Sequence, residues 1–262
     1  MRVPVSVDGL LLDIDGVLAV SWKSLPGAVD AMERLRKHEV PFRLITNTTT
    51  KTRSDLAGTL RDAGFDVADE DVVTAVTATA SYLRRAHPAA QVFVLSDGDA
   101  SSDLTDVDLV DVDEADVIVI GGACDEFTYE AMNRIFRRLM EGAALVGMHR
   151  NLFWKTSRGW ELDGGAYLAG LEAAAETTAT ICGKPERAYF EAALEMLGVD
   201  AGRAAMVGDD VVNDVLGAQA VGLTGILVRT GKFREGDDRR ADGTPDHVLG
   251  SFAELPSFLG LA

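Results

Sequence analysis

The sequence predicts an α/β fold: a doubly wound, mostly parallel sheet with helices on both faces, and a second α/β domain inserted into it. Three observations predict it. Short apolar runs alternate with helical stretches almost from end to end, which favours parallel strands joined by crossover helices. Residues with unusual chemistry stand at the ends of four of these runs, where open parallel sheets gather their functional groups. The stretch 79–180 adds runs and helices but none of those groups, and 262 residues are enough for a core plus such a module. The expected division is a core of 1–78 and 181–262 and an inserted α/β domain at 79–180.

The elements follow in chain order. The first apolar run, 9–14, reads as a buried strand. Residues 26–38 open on Pro26 and repeat apolar positions at Ala28, Met32 and Leu35, which predicts a helix. A strand at 41–46 is followed by a helix at 53–63, closed by Gly64. The insert carries strands at 91–95, 116–121 and 144–148 and helices at 127–141 and 166–176. A helix at 185–197 opens on Pro185 and closes at Gly198, and strands at 204–208 and 224–229 complete the pattern.

Apolar content of 47% and charged content of 26% suit a globular enzyme. A formal net charge of −17 argues against nucleic acid as a partner, because the phosphate backbone would be repelled. No apolar stretch reaches membrane-spanning length, and the first residues lack the apolar segment of a signal peptide. Cys124 and Cys182 have no paired spacing, and His38, His87, His149 and His247 form no ligand pattern. Neither a disulfide framework nor a zinc site is expected, and a reducing cytoplasm is the expected compartment. The acidic run 97–116 reads as a solvated face, since it lacks the Gly and Glu of a calcium loop. Only 6 lysines stand against 19 arginines, which makes each lysine more informative.

Leu10, Leu11 and Leu12 run straight into Asp13-Ile14-Asp15-Gly16-Val17. A strand period of two puts Asp13 and Asp15 on one side at the tip, and Gly16 lets the chain leave without a Cβ clash. Two close carboxylates repel unless a cation lies between them. A divalent metal with one carboxylate as nucleophile is therefore the sharper reading, and a strand cap or turn the plainer one. Thr46 and Asn47 can offer a hydroxyl and N–H groups to phosphate oxygens, or can cap a helix. Lys184, between Gly183 and Pro185, can neutralise a nucleophile and a transferring phosphoryl group, or can be a surface lysine. Asp209 and Asp210, followed by Asp214, again end an apolar strand in carboxylates; the alternative is an acid-rich helix start. Together Asp13, Asp15, Asp209 and Asp214 would repel a phosphate dianion, so bound Mg²⁺ is close to a requirement. Asp13 and Asp209 are then expected as direct ligands, the Asp15 carbonyl as a third, and Asp214 or Asp210 as holders of bound water.

In this order the set resembles the haloacid dehalogenase superfamily. Its D-x-D-G stands at 13–16, its motif-two Thr at Thr46, its motif-three Lys at Lys184 and its G-D-D-x-x-x-D at 208–214. DIDGV, ITNTT and GKP resemble subclass IIA, the p-nitrophenyl phosphatase-like branch, whose Rossmann-like core carries a large α/β cap between motifs two and three. ITNTTTKTRSDL, VGMH, GDDVVNDV and GAQAVGLTGILVRTGKFR are most similar to the group that contains the phospholysine phosphohistidine inorganic pyrophosphate phosphatase. Some members resembling that group carry Ser where this chain has Asp15, so the Asp implies full phosphatase competence.

The resemblance implies that Asp13 is the nucleophile and Asp15 the general acid and base. It makes Thr46, Asn47 and Lys184 the holders of the phosphoryl oxygens, and Asp13, Asp15, Asp209 and Asp214 the Mg²⁺ set. It also implies a small phosphorylated substrate, a cap that closes over the site, and a homodimer through the cap. His149-Arg150-Asn151 and Asp163-Gly164-Gly165 are candidate cap contacts. The plainer readings there are a satisfied loop histidine at His149 and a tight turn at the two glycines. The expected activity is Mg²⁺-dependent hydrolysis of a small phosphorylated metabolite through an aspartyl-phosphate. The alternatives are a phosphohistidine, phospholysine or inorganic pyrophosphate phosphatase, and a non-catalytic phosphate-binding regulator.

Overall fold

The computed structural model describes residues 7–123, 125–156, 159–239 and 242–261, so Cys124 lies outside the described residues. The chain divides into two compact units. The first comprises Met1–Thr46, Arg53–Val73 and Phe190–Ala262, and the second Asn47–Thr52 and Thr74–Tyr189. Both are α/β, as the alternation of runs and helices predicts.

The first unit is built on a six-stranded sheet in the order His247–Leu249, Thr224–Val228, Ala204–Gly208, Gly9–Asp13, Phe42–Thr46, Val72–Thr74. From His247–Leu249 across to Phe42–Thr46 every pair is parallel. Leu10, Leu11 and Leu12 are all fully buried, which is why this run is continuous rather than alternating: a central parallel strand is covered on both faces. Each such side chain contributes roughly 1.5–3 kcal/mol on burial. Helix Ala28–Lys37 buries Ala28, Ala31, Met32 and Leu35, and helix Arg53–Asp62 buries Leu56, Ala57 and Leu60. Both stripes follow the 3.6-residue period and join a core with Leu10, Leu12, Phe42, Leu44 and Val207.

The second unit holds a five-stranded parallel sheet in the order Thr180–Ile181, Ala144–Gly147, Val117–Ile120, Gln91–Leu95, Asp108–Leu109. An antiparallel pair, Phe153–Thr156 with Gly159–Leu162, accompanies it. Helix Tyr129–Met140 starts two residues later than its apolar pattern predicts, because Thr128 accepts from the Ala131 N–H and caps it. Helix Gly164–Ala175 starts two residues earlier, because Asp163 is its cap. Gly164 and Gly165 therefore form the first helical turn rather than a tight turn. A Cβ on Gly164 would overlap the Gly121 carbonyl, so the helix needs glycine there to pack.

Helix Ala75–Ala86 had no sequence signal. Thr74 and Thr77 cap it reciprocally, at 3.1 and 2.9 Å, but eight of its residues are buried, Thr77, Thr79 and Ser81 among them, so its polar residues do not mark a solvent side. No described helix is long and apolar enough to cross a membrane.

Candidate active site

Asp13 ends the strand Gly9–Asp13, and Asp209 directly follows the neighbouring strand Ala204–Gly208. The register pairs Leu12 with Val207 and Asp13 with Ile45, so Asp13, Asp209 and Thr46 leave adjacent strands at nearly the same level. This is the carboxyl edge of the sheet, where parallel strands expose what they carry. Asp214 reaches the same point from a π-helical turn, Val211–Leu216.

Asp13, Asp209 and Asp214 offer carboxylate oxygens that all lie within 4.8 Å of one another, and the three residues are only 6%, 1% and 1% exposed. Three buried carboxylates at this spacing form a hard oxygen donor set, and their mutual repulsion makes a cation at that point favourable. The group could hold a metal ion, and a divalent ion that prefers oxygen ligands fits its chemistry.

Asp15 departs from the two-residue period. The strand ends at Asp13, which is buried, whereas Asp15, beyond the strand end, is exposed; Gly16 then takes φ 87° and turns the chain. The turn is closed by the Gly16 N–H donating to the Ala19 carbonyl at 2.8 Å.

Asp210 has its own task. Its Oδ1 accepts from the backbone N–H groups of Val212 and Asn213 at 3.1 and 3.0 Å, and its Oδ2 accepts from the Asn213 side-chain amide at 2.8 Å. It caps the π-helical turn, and its own N–H donates to Asp214 Oδ2 at 3.1 Å. Burial works against the Asp210 charge. The Asn213 backbone and amide, the Lys232 ammonium and the Val212 N–H outweigh it and hold the carboxyl below the usual range.

In the second unit, Lys184 is buried and its peptide is gripped by Asn47. The Lys184 N–H donates to Asn47 Oδ1 at 2.8 Å, and Asn47 Nδ2 donates to the Lys184 carbonyl at 3.0 Å. The amide of Asn47 thus holds the loop that carries Lys184. His149 is a satisfied buried histidine: its Nδ1 accepts from the Asn151 N–H at 3.2 Å. Burial holds its pKa below the ordinary value, with the Asp163 carboxylate 3.7 Å away pulling the other way. Arg150 makes a two-pronged pair with Glu172 at 2.8 Å in both arms, and Glu172 also accepts from the Ala179 N–H. Glu172 thereby ties helix Gly164–Ala175 to Arg150 before it and to Ala179 after it.

Sequence reasoning missed the loop after strand Thr224–Val228. The Lys232 N–H donates to Asp209 Oδ2 at 2.6 Å, and the Thr230 hydroxyl donates to the Gly16 carbonyl at 2.5 Å. The available signal was topological: this loop stands at the carboxyl end of the strand beside Ala204–Gly208.

Residues 10–110 match the family described as haloacid dehalogenase-like hydrolase, and residues 181–255 match the related HAD-hydrolase-like family. The chain is 36% identical over 247 residues to haloacid dehalogenase-like hydrolase domain-containing protein 2 of Homo sapiens, a match covering 94% of this chain and 93% of that protein. It is 36% identical over 263 residues to the phospholysine phosphohistidine inorganic pyrophosphate phosphatase of Mus musculus, covering 97% and 94%. Among solved structures, the p-nitrophenyl phosphatase from Archaeoglobus fulgidus superposes with a TM-score of 0.88 at 27% identity, covering 96% of this chain and 99% of that one.

Proposed function

The chain belongs to the haloacid dehalogenase-like hydrolase family and is a phosphatase of its p-nitrophenyl phosphatase-like branch, and we propose that it hydrolyses a small phosphorylated metabolite, with Mg²⁺, through an aspartyl-phosphate on Asp13. The observation that carries this reading is the group of three buried carboxylates at the carboxyl edge of a parallel sheet. In this proposal 1–78 and 181–262 act as the catalytic core, and 79–180 acts as a cap that excludes water and chooses the leaving group.

A bound Mg²⁺ would be held by Asp13, Asp209, Asp214 and the main chain of Asp15, and would compensate negative charge around an incoming phosphate. Asp13 attacks phosphorus in line, forming an O–P bond as the leaving-group oxygen departs. Asp15 gives that oxygen a proton, then takes one from the water that hydrolyses the aspartyl-phosphate. The Thr46 hydroxyl, the Asn47 N–H and the Lys184 ammonium hold the phosphoryl oxygens as charge moves between them. Asn47 contributes a second time, through the grip of its amide on the Lys184 peptide.

A second reading, hydrolysis of phosphohistidine, phospholysine or inorganic pyrophosphate, is favoured by the identity to the mouse phosphatase of that name. One screen separates the two. Phosphate release with Mg²⁺ is measured over sugar phosphates, nucleotides, glycolyl phosphates, pyridoxal phosphate, pyrophosphate, imidodiphosphate and a phosphohistidine peptide. Preference for a phosphate monoester supports the first reading, and preference for P–N or pyrophosphate bonds the second. Release from none of them would leave a phosphate-binding regulator. Asp13→Asn should lower turnover by roughly a thousandfold or more, since it removes the nucleophile. Substantial turnover in that variant would sink the role of Asp13.

A further inference from the structure

The turn that carries Asp15 is held by a segment outside all four motifs. Residues 230–232 leave the strand Thr224–Val228 and touch the site at three points. The Thr230 hydroxyl donates to the Gly16 carbonyl at 2.5 Å. The Lys232 backbone N–H donates to Asp209 Oδ2 at 2.6 Å. Between them Gly231, at φ 59°, lies so close that a Cβ on it would overlap Asp209 Oδ2 and come within 2.5 Å of Gly16 Cα. A Cβ on Gly16 would in turn lie 2.9 Å from Gly231 Cα.

We propose that 230–232 is a backbone clamp that fixes the Asp15-Gly16 turn against Asp209, with Thr230 as its positioning residue. The inference rests on the function proposed above, because it matters to turnover only if Asp15 and Asp209 act there. The physical case is that Gly16 on its own is a weak point. A glycine at φ 87° has more backbone freedom to lose than any other residue. Here both of its polar groups are taken, the N–H by the Ala19 carbonyl and the carbonyl by Thr230. Threonine suits the task because its branched Cβ restricts χ1, so the hydroxyl is aimed before it bonds. The adjacent Lys232 N–H fixes one oxygen of Asp209 and so sets where the other points. One loop thereby aligns an acid from motif one with a carboxylate from motif four, although they are far apart in the chain.

The test compares Thr230→Val, which keeps the shape and removes the donor, with Thr230→Ser, which keeps the donor. Thr59→Val is the control. Its hydroxyl makes the same kind of bond, to the Asp55 carbonyl at 2.8 Å, and that bond is exposed to solvent and outside the site. Three readouts are taken on the full chain: Mn²⁺ affinity by calorimetry, hydrogen exchange of the amides of 14–19, and kcat and KM on the best substrate of the screen. Thr230→Val should weaken Mn²⁺ binding about fivefold to tenfold, the effect of one lost hydrogen bond. It should speed exchange in 14–19 and lower kcat by roughly tenfold to a hundredfold with little change in KM, as misplacement does. Thr230→Ser should stay within about threefold of the parent in each, and Thr59→Val should match the parent. Thr230→Val with parental Mn²⁺ affinity and parental exchange would overturn the clamp, and so would a Thr230→Ser as impaired as Thr230→Val. If the parent chain releases phosphate from nothing, the function proposed above falls. The clamp is then decided by exchange in 14–19 alone, which needs neither metal nor substrate.

Discussion

Replacing Asp214 with Asn should stabilise the chain in EDTA and blunt its response to Mg²⁺, two effects of opposite sign from one substitution. The structure sets their size. Asp13, Asp209 and Asp214 bring oxygens within 4.8 Å of one another, and each is nearly buried. At that separation two unit charges repel by about 3.5 kcal/mol at an effective dielectric of about 20, against about 0.9 kcal/mol in bulk water. Asp214 has two such neighbours, which doubles the figure. Proton uptake caps it, because protonating an ordinary carboxylate at pH 7 costs only about 4 kcal/mol. Donors at the site lower it again, among them the Asp210 N–H on Asp214 Oδ2, and Asn keeps an oxygen for that bond. The expected gain in EDTA is about 1–3 kcal/mol, which at roughly 2–4 °C per kcal/mol is a rise in Tm of several degrees. With Mg²⁺ in hundredfold excess over its Kd, the parent should gain about 2.7 kcal/mol, and Asp214→Asn much less. The assay is thermal unfolding of both chains in EDTA and in excess MgCl₂. A variant less stable than the parent in EDTA, with an undiminished Mg²⁺ response, would falsify the electrostatic reasoning.

Asp210→Ala should cost about 1–2 kcal/mol, since it removes the cap of the π-helical turn, while Asp210→Asn keeps an acceptor and should cost less than about 1 kcal/mol. Urea midpoints compare them, and equal losses would show that charge rather than capping matters. Because the Asp210 carboxyl is held below its usual range, its share of stability is present above the unfolded pKa of about 3.9 and is lost as pH falls through the folded value. The gap between parent and Asp210→Ala should therefore narrow below about pH 4, and a gap that stays constant there contradicts the assignment. Burial pushes the Cys182 thiol up to about 12, against the smaller opposing effects of Thr79 and Arg85. Iodoacetamide should leave Cys182 unmodified in the native chain and alkylate it in denaturant, as peptide mass mapping would report; native alkylation at the denatured rate refutes its burial.

Much of the fold was legible because parallel strands are covered on both faces and so appear as unbroken apolar runs. The run Leu10, Leu11, Leu12 needs no alternation to be read. Helix Ala75–Ala86 was not legible, because its polar residues Thr77, Thr79 and Ser81 are themselves buried and do not mark a solvent side. Strands of two residues, such as Asp108–Leu109 and Thr180–Ile181, cannot display a period at all. Boundaries moved where a cap decided them, with Thr128 delaying one helix and Asp163 advancing another.

The sequence by itself determined which acids, hydroxyls and lysine stand at strand ends, and in what order, because strand ends follow from local apolar patterning. The tertiary structure decided which of them share a point. Asp13 and Asp15 are two residues apart, yet Asp13 is buried and Asp15 exposed, since the strand and its period end at Asp13. Asp209 and Asp214 join Asp13 because strands Gly9–Asp13 and Ala204–Gly208 are neighbours in the sheet, and Asp210 turns the chain so that Asp214 comes back to them. The grip of Thr230 on Gly16 spans 214 positions, a relation that no spacing encodes because only strand order in the folded sheet brings those backbones together.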